Sequence, residues 1–289
     1  MLPEFELLMP RSLPEALEML AGSAPDVLPI AGGTNLIPDM RGGRYRPGLL
    51  LNVAGLPELC AIRREEEWLV IGGGVTIADL LDDPLVAQHA PVLREAARML
   101  ASPLVRNRAT VAGNLANASP AADTAPPLLV LDAEVELASR GESRRVPLRE
   151  FFVHVRRTVR RPDELITTIR IPLPPAGSSA RFFKVALRNA DAIAVVNGAV
   201  RVDRDGAGRC QGARIALGAV APTPIRVPEA EAALEGQQLT PEVIARAARL
   251  AAEAARPIDD LRGSAAYRQH VTAVMVRRAL AEHGTRNTE

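Results

Sequence analysis

The feature that most constrains this chain is a short apolar segment, Val27–Ala31, broken at once by Gly32-Gly33 and Thr34-Asn35, with a second apolar segment following at Leu49–Val53. Apolar runs of this length bounded by turn residues read as buried strands. Upstream, Ser12-Leu13-Pro14-Glu15 has capping-box spacing and opens a helix expected to end near Gly22. The N-terminal region therefore reads as a small β–α–β unit with a glycine turn directly after a strand. Such a turn lets backbone N–H groups approach a phosphate with no Cβ in the way, and Thr34 and Asn35 add side-chain donors. Taken alone, the glycine pair reads as an ordinary tight turn.

Further along, Trp68–Ile71 reads as a strand ending in Gly72-Gly73-Gly74. This run has the start of a dinucleotide fingerprint, but Ile77 stands where the third glycine belongs and no strand-ending acid follows at the expected distance. It reads as a structural strand-to-helix turn, with Thr76 and Asp79 opening a short helix and Pro91–Leu100 forming another. From Ser102 to Ala125 no period dominates, so the segment is expected to be a long loop. A long loop inside a compact domain is functional or disordered, and the apolar content of this one favours function. It holds Thr110-Val111-Ala112-Gly113-Asn114 and then Asp123. Thr and Asn donors suit a diphosphate, and a carboxylate suits sugar hydroxyls. Loops rich in Asn and Pro also use these residues simply to turn.

Glu134–Ala138 and Leu165–Ile171 read as strands, and Pro172–Ser179 as a linker. Beyond it come strands near Arg181–Leu187, Ala192–Val202 and Ala213–Val220, then helices at Glu229–Glu235, Pro241–Ala255 and Ser264–Glu282. Strands followed by helices indicate an α+β second domain. The tail beyond Gly284 is expected to fray.

The composition excludes several function classes. A formal net charge of +1 gives no electrostatic footprint for nucleic acid, and an aromatic content of 3% removes a stacking platform for bases. The two cysteines, Cys60 and Cys210, are too few to build an iron–sulfur cluster on this chain alone and fit a cytoplasmic setting. His89, His154, His270 and His283 lack metal-ligand spacing, and no metal ligand is expected here. No apolar stretch reaches the length of a membrane span, and the first residues lack a signal-peptide pattern. One bias stands out: of 35 basic residues, Lys184 is the only lysine. Lysine is required where a compact point charge fits and a planar fork does not, such as beside a phosphate or an electron-rich ring.

Ile30–Leu36, the stretch Val105–Asp123 with its Thr110–Asn114 core, and the strand Phe182-Phe183-Lys184 running on to Arg188 and Asp191 resemble, in order and spacing, the FAD-binding subunits of the xanthine dehydrogenase family of molybdenum hydroxylases. In size and layout the chain is most similar to the medium subunits of aerobic carbon monoxide dehydrogenase. The resemblance covers nearly the whole chain. It implies an α+β fold with a two-subdomain FAD-binding domain of the vanillyl-alcohol-oxidase/PCMH type over residues 1–174, the subdomains dividing as about 1–57 and 58–174. A C-terminal CO-dehydrogenase-flavoprotein-like domain, a small antiparallel sheet with a helical bundle, would occupy 180–289.

By position, the resemblance implies that Pro29, Ile30, Ala31, Gly32, Gly33, Thr34, Asn35 and Leu36 wrap the diphosphate of a non-covalent FAD. Thr110, Val111, Ala112, Gly113 and Asn114 would form the second diphosphate loop. Asp123 would take the ribityl or ribose hydroxyls, Ile166 would lie against the isoalloxazine, Lys184 would approach the flavin's polar side, and Asp191 its reactive edge. No catalytic acid or base is implied. Molybdopterin would belong to a large partner subunit and two [2Fe–2S] clusters to a small one, assembled as a dimer of heterotrimers.

Two departures mark this chain. Ala112 replaces a glycine common in the family, and the cysteine-rich insertion of the 4-hydroxybenzoyl-CoA reductase branch is absent. The loop Gly32-Gly33-Thr34-Asn35-Leu36 is also similar to that of UDP-N-acetylenolpyruvoylglucosamine reductases, stand-alone flavin enzymes, but the serine proton donor and catalytic glutamate those enzymes need have no placement here. A third possibility is a partner-binding protein that has lost its flavin.

Overall fold

The structure, a computed structural model, describes residues 2–284, so the tail beyond Gly284 lies outside it. Among the described residues, three larger sheets and a two-stranded ribbon, Phe152–His154 with Arg157–Thr158, organise the chain. The first is parallel and three-stranded, ordered Glu6–Leu8, Leu49–Asn52, Val27–Ile30. Its central strand buries Leu50 and Leu51, while Pro29 sits on an edge strand, where its missing N–H does no harm. Helix Leu13–Ser23 lays Ala16, Leu17 and Leu20 on this sheet. The Ser12 hydroxyl accepts the Glu15 N–H, as the capping pattern requires, but Glu15 reaches back one residue further, accepting the Arg11 N–H at 2.6 Å.

The second sheet is antiparallel, ordered Ile62–Glu65, Trp68–Gly72, Leu165–Pro172, Glu134–Ser139, Glu142–Pro147. Leu165–Pro172 is central and buried nearly throughout. Leu69, Ile71, Leu80, Leu93, Leu115, Leu128 and Phe151 form the core between this sheet and its helices. The triple glycine is structural: a Cβ on Gly72 would stand 2.1 Å from the Leu59 carbonyl oxygen, and one on Gly73 2.2 Å from that of Ile166. Thr76 and Asp79 then close a reciprocal capping box on helix Ile77–Asp82.

The third sheet, also antiparallel, runs Ser178–Ala186, Ala194–Arg204, Cys210–Gly218, Ile225–Arg226, with helices Pro228–Ala232, Pro241–Ala254 and Ala265–Gly284 following. It does not stand apart. Helix Ala125–Val130 packs on its middle strands, and Ala199 and Ala216 join the core of the second sheet. At this junction Asp132 receives Arg226 at 2.8 Å, Arg214 at 3.1 Å and Arg201 at 3.7 Å.

One expectation fails. Residues 102–125 are not a single loop. Ser102 caps helix Pro103–Arg106 and Thr110 caps helix Val111–Ala116, each through its hydroxyl. Helices this short give no readable hydrophobic period. The same brevity hid strands Glu6–Leu8, Phe152–His154, Arg157–Thr158 and Ile225–Arg226.

Candidate functional site: two glycine loops and a buried acid

The first glycine loop follows strand Val27–Ile30 and leads into helix Leu36–Arg41, whose first residue is Leu36 and whose N-cap is Asn35. The two glycines serve different needs. Gly33 has φ of +69°, a left-handed conformation that a side chain resists. Gly32 lies against the second loop, and a Cβ there would sit 1.8 Å from the Arg108 carbonyl oxygen. The glycine pair is thus explained first by the meeting of two loops, not by the approach of a phosphate.

That meeting fixes the second loop from three sides. Ile77 N–H donates to the Ala109 carbonyl at 2.8 Å, and Val111 N–H to that of Val75 at 3.3 Å. Thr110 Oγ1 accepts the Gly113 N–H at 3.0 Å, standing where a Gly113 side chain would be. Ala112 and Val111 are buried in the core of the second sheet, so the methyl that departs from the family pattern points inward and is accommodated. Helix Val111–Ala116 packs on strand Leu165–Pro172, the strand that carries Ile166. A register shift between Ile166 and Thr168 marks a bulge there.

The donor set fits an anionic dinucleotide. Among the described residues, no backbone or side-chain acceptor takes the N–H groups of Gly32, Gly33, Thr34 or Asn35. The helix that follows cannot satisfy them, because the first N–H groups of any helix lack intrahelical partners. Such a run of free donors is an anion-binding nest suited to a diphosphate.

Asp123 is only 7% exposed. Its Oδ2 accepts the Lys184 ammonium at 2.6 Å and its Oδ1 the Asn197 amide at 2.9 Å. Burial pushes its carboxyl above the ordinary carboxylate range, opposed by the charge of Lys184 and by both hydrogen bonds. Next to it in sequence, Thr124 donates to Asn114 Oδ1 at 2.6 Å, which ties the segment that carries the buried acid to the second loop. Lys184 also donates to the Met99 carbonyl at 3.0 Å. The ammonium ties the second domain to the first, and a carboxylate and a carbonyl converging on one point favour a compact cation. Asp191 stands apart, exposed at the hairpin tip with φ of +48° and its carbonyl held by Arg188.

Sequence reasoning missed Asn197, Thr124, and Arg156, which joins Asp39 of the first subdomain at 2.6 Å to Asn117 of the second at 3.1 Å. Asn197 alone had a signal: it interrupts the apolar run Val195-Val196-Asn197-Gly198-Ala199-Val200.

Residues 3–174 match the family model described as the FAD binding domain in molybdopterin dehydrogenase, and residues 181–283 that of the CO dehydrogenase flavoprotein C-terminal domain. Fold and donor set thus define an FAD-binding protein of the α+β class. The chain belongs to the family of FAD-binding subunits of molybdenum hydroxylases and is an oxidoreductase subunit. It is 36% identical to the 6-hydroxypseudooxynicotine dehydrogenase complex subunit alpha of Paenarthrobacter nicotinovorans, over 99% of this chain and 97% of that one. With the carbon monoxide dehydrogenase medium chain of Hydrogenophaga pseudoflava it shares 33% identity over 96% of each. Carbon monoxide dehydrogenase from that organism superimposes with a TM-score of 0.94 at 35% identity, covering 97% of both chains. Quinoline 2-oxidoreductase of Pseudomonas putida 86 does so with 0.92 at 31% identity, covering 98% of both.

Proposed function

We propose that this chain is the electron-relay subunit of a three-part molybdenum hydroxylase, holding FAD between the [2Fe–2S] clusters of a small partner and an external acceptor, while a large partner carries molybdopterin and oxidises the substrate. The observation that carries this reading is the free-donor loop Gly32–Asn35 locked against Arg108 within a chain that matches medium subunits end to end. When bound, the flavin supplies one- and two-electron chemistry; the protein supplies position and electrostatics. The first loop binds the diphosphate through its backbone, with Pro29 to Ala31 delivering it from the strand. Thr110 to Asn114 complete that cradle, Asp123 accepts from sugar hydroxyls with the lone pairs its two partners leave open, and Ile166 offers an apolar wall. Lys184 acts through Asp123 and Asp191 borders the exposed edge. We place the first domain at 1–174 and the second at 180–289; the match to the FAD-binding family ends at 174, and the strand that begins at Ser178 leads into the second.

Among the described residues, no helix is long and apolar enough to cross a membrane. We place the enzyme in the cytoplasm, as a dimer of heterotrimers. Co-expression with the two partner chains tests the reading. A complex containing FAD, iron and molybdenum, with a mass of two heterotrimers and flavin bleached by the substrate of the large chain, is expected. A stable yellow protein that never associates, or one that oxidises NADPH with a peptidoglycan precursor, overturns it.

A further inference from the structure

Lys184, Asn197 and Gly218 occupy one row across three neighbouring strands: Lys184 is the register partner of Asn197, and Asn197 that of Gly218. The first two converge on Asp123. The third leaves space, because a Cβ on Gly218 would stand 2.1 Å from Asn197 Oδ1 and 3.2 Å from the Pro120 carbonyl oxygen. The neighbouring Ala219 N–H donates to that same Pro120 carbonyl at 2.7 Å. The second domain's sheet therefore grips the segment 120–124 by a cation, an amide and a vacancy.

Asn197 interrupts an otherwise apolar run in its strand. It is fully buried, and among the described residues its Oδ1 has no hydrogen-bond partner. A buried acceptor left unpaired costs about 1–3 kcal/mol, a cost that an apolar residue in the same strand avoids. What the amide supplies is one donor, Nδ2, to one acceptor, Asp123 Oδ1. Lys184 is the only charged group acting on this carboxyl among the described residues, so the amide adds a second fixed direction without a second charge.

We infer that Asn197 is a positioning residue of the flavin site: with Gly218 vacating its space, it fixes the rotamer of Asp123 so that the carboxyl faces the sugar hydroxyls of FAD, and its hydrogen bond favours the charged form of that group. This rests on the placement of Asp123 in that site. Without the amide, the carboxylate keeps Lys184 but loses one of the two bonds that oppose its burial, and it takes up a proton at higher pH.

The test is titration of the FAD-free full chain with FAD, followed by flavin fluorescence from acid to alkaline pH, in wild type, Asn197→Ala, Asp123→Asn and the double variant, with a thermal melt of each. Asp123→Asn should weaken binding and abolish its acid-dependent loss. Asn197→Ala should bind FAD more weakly than wild type at every pH, because the Asp123 rotamer is freed, and should lose FAD at a pH higher by about one unit. The double variant should match Asp123→Asn, since one residue acts through the other. An unshifted acid limb in Asn197→Ala, or additive losses in the double variant, overturns the inference while leaving Asp123 in the site. Wild-type binding by Asp123→Asn at every pH overturns both. Should Asn197→Ala fail to fold, Gly218→Ala, which displaces the amide without removing it, must give the same upward shift or the inference fails.

Discussion

The Cα of Gly32 lies so close to Arg108 that a Cβ would stand 1.8 Å from its carbonyl oxygen. Two loops far apart in sequence touch backbone to backbone, and no flexible side chain is available to yield. Each loop holds the other in place, and the free N–H groups of the first become a fixed set rather than a turn that samples many shapes.

Gly32→Ala should therefore separate the loops and reduce FAD content of the purified protein at least tenfold. Gly33→Ala meets side chains rather than backbone and bears the left-handed conformation at a cost of about 1–2 kcal/mol, so it should retain more flavin. The ratio of flavin to protein absorbance reads both. A fully loaded Gly32→Ala protein would refute the loop-to-loop account.

Lys184→Met should leave the Asp123 carboxyl buried without its counter-charge. Breaking a buried pair on one side costs about 3–5 kcal/mol, less whatever protonation of the acid recovers. A clear drop in Tm is expected, partly restored by adding Asp123→Asn. Lys184→Arg should also lose stability, because the fork must fit between the Asp123 carboxylate and the Met99 carbonyl. If both single variants melt with wild type, the lone lysine has no structural cause.

FAD should be held without a covalent bond. The two loops offer Thr and Asn but no His or Cys. Cys210 is buried, and burial pushes its thiol up to about 11, which leaves it a poor nucleophile at neutral pH. Acid precipitation should release all yellow colour to the supernatant; a coloured pellet would contradict this.

His283 makes stability depend on pH. Its Nδ1 lies 2.7 Å from Ser179 Oγ, and burial, reinforced by Arg181 and Arg204, lowers its pKa from 6.5 to about 4. The unfolded chain takes up the proton first as pH falls. The contribution is therefore fully present above pH 6.5 and is lost as pH drops toward about 4, on the order of 3 kcal/mol in all. His283→Gln should flatten the fall in Tm between neutral and acid pH. An identical slope in both proteins would show that the imidazole does not titrate in this window.

Features that depend on near neighbours can be read directly from the chain. The cap at Ser12, the box at Thr76 and Asp79, the structural role of Gly72–Gly74 and the two glycine turns were legible because local spacing, backbone freedom and binary patterning fix them. What those loops touch is set by long-range packing. The sequence gives no register between distant segments, so it could not show that Gly32 serves Arg108, that Arg156 closes on Asp39, or that Lys184 is spent on Asp123. Short helices and strands were missed for a related reason: they hold too few residues for a period, and their place comes from the surfaces they pack against. The buried acid shows the difference most directly. A carboxylate in a polar loop is readable as a binding group, but its partners arrive from a sheet more than sixty residues away, where burial and strand pairing together set its direction and its charge.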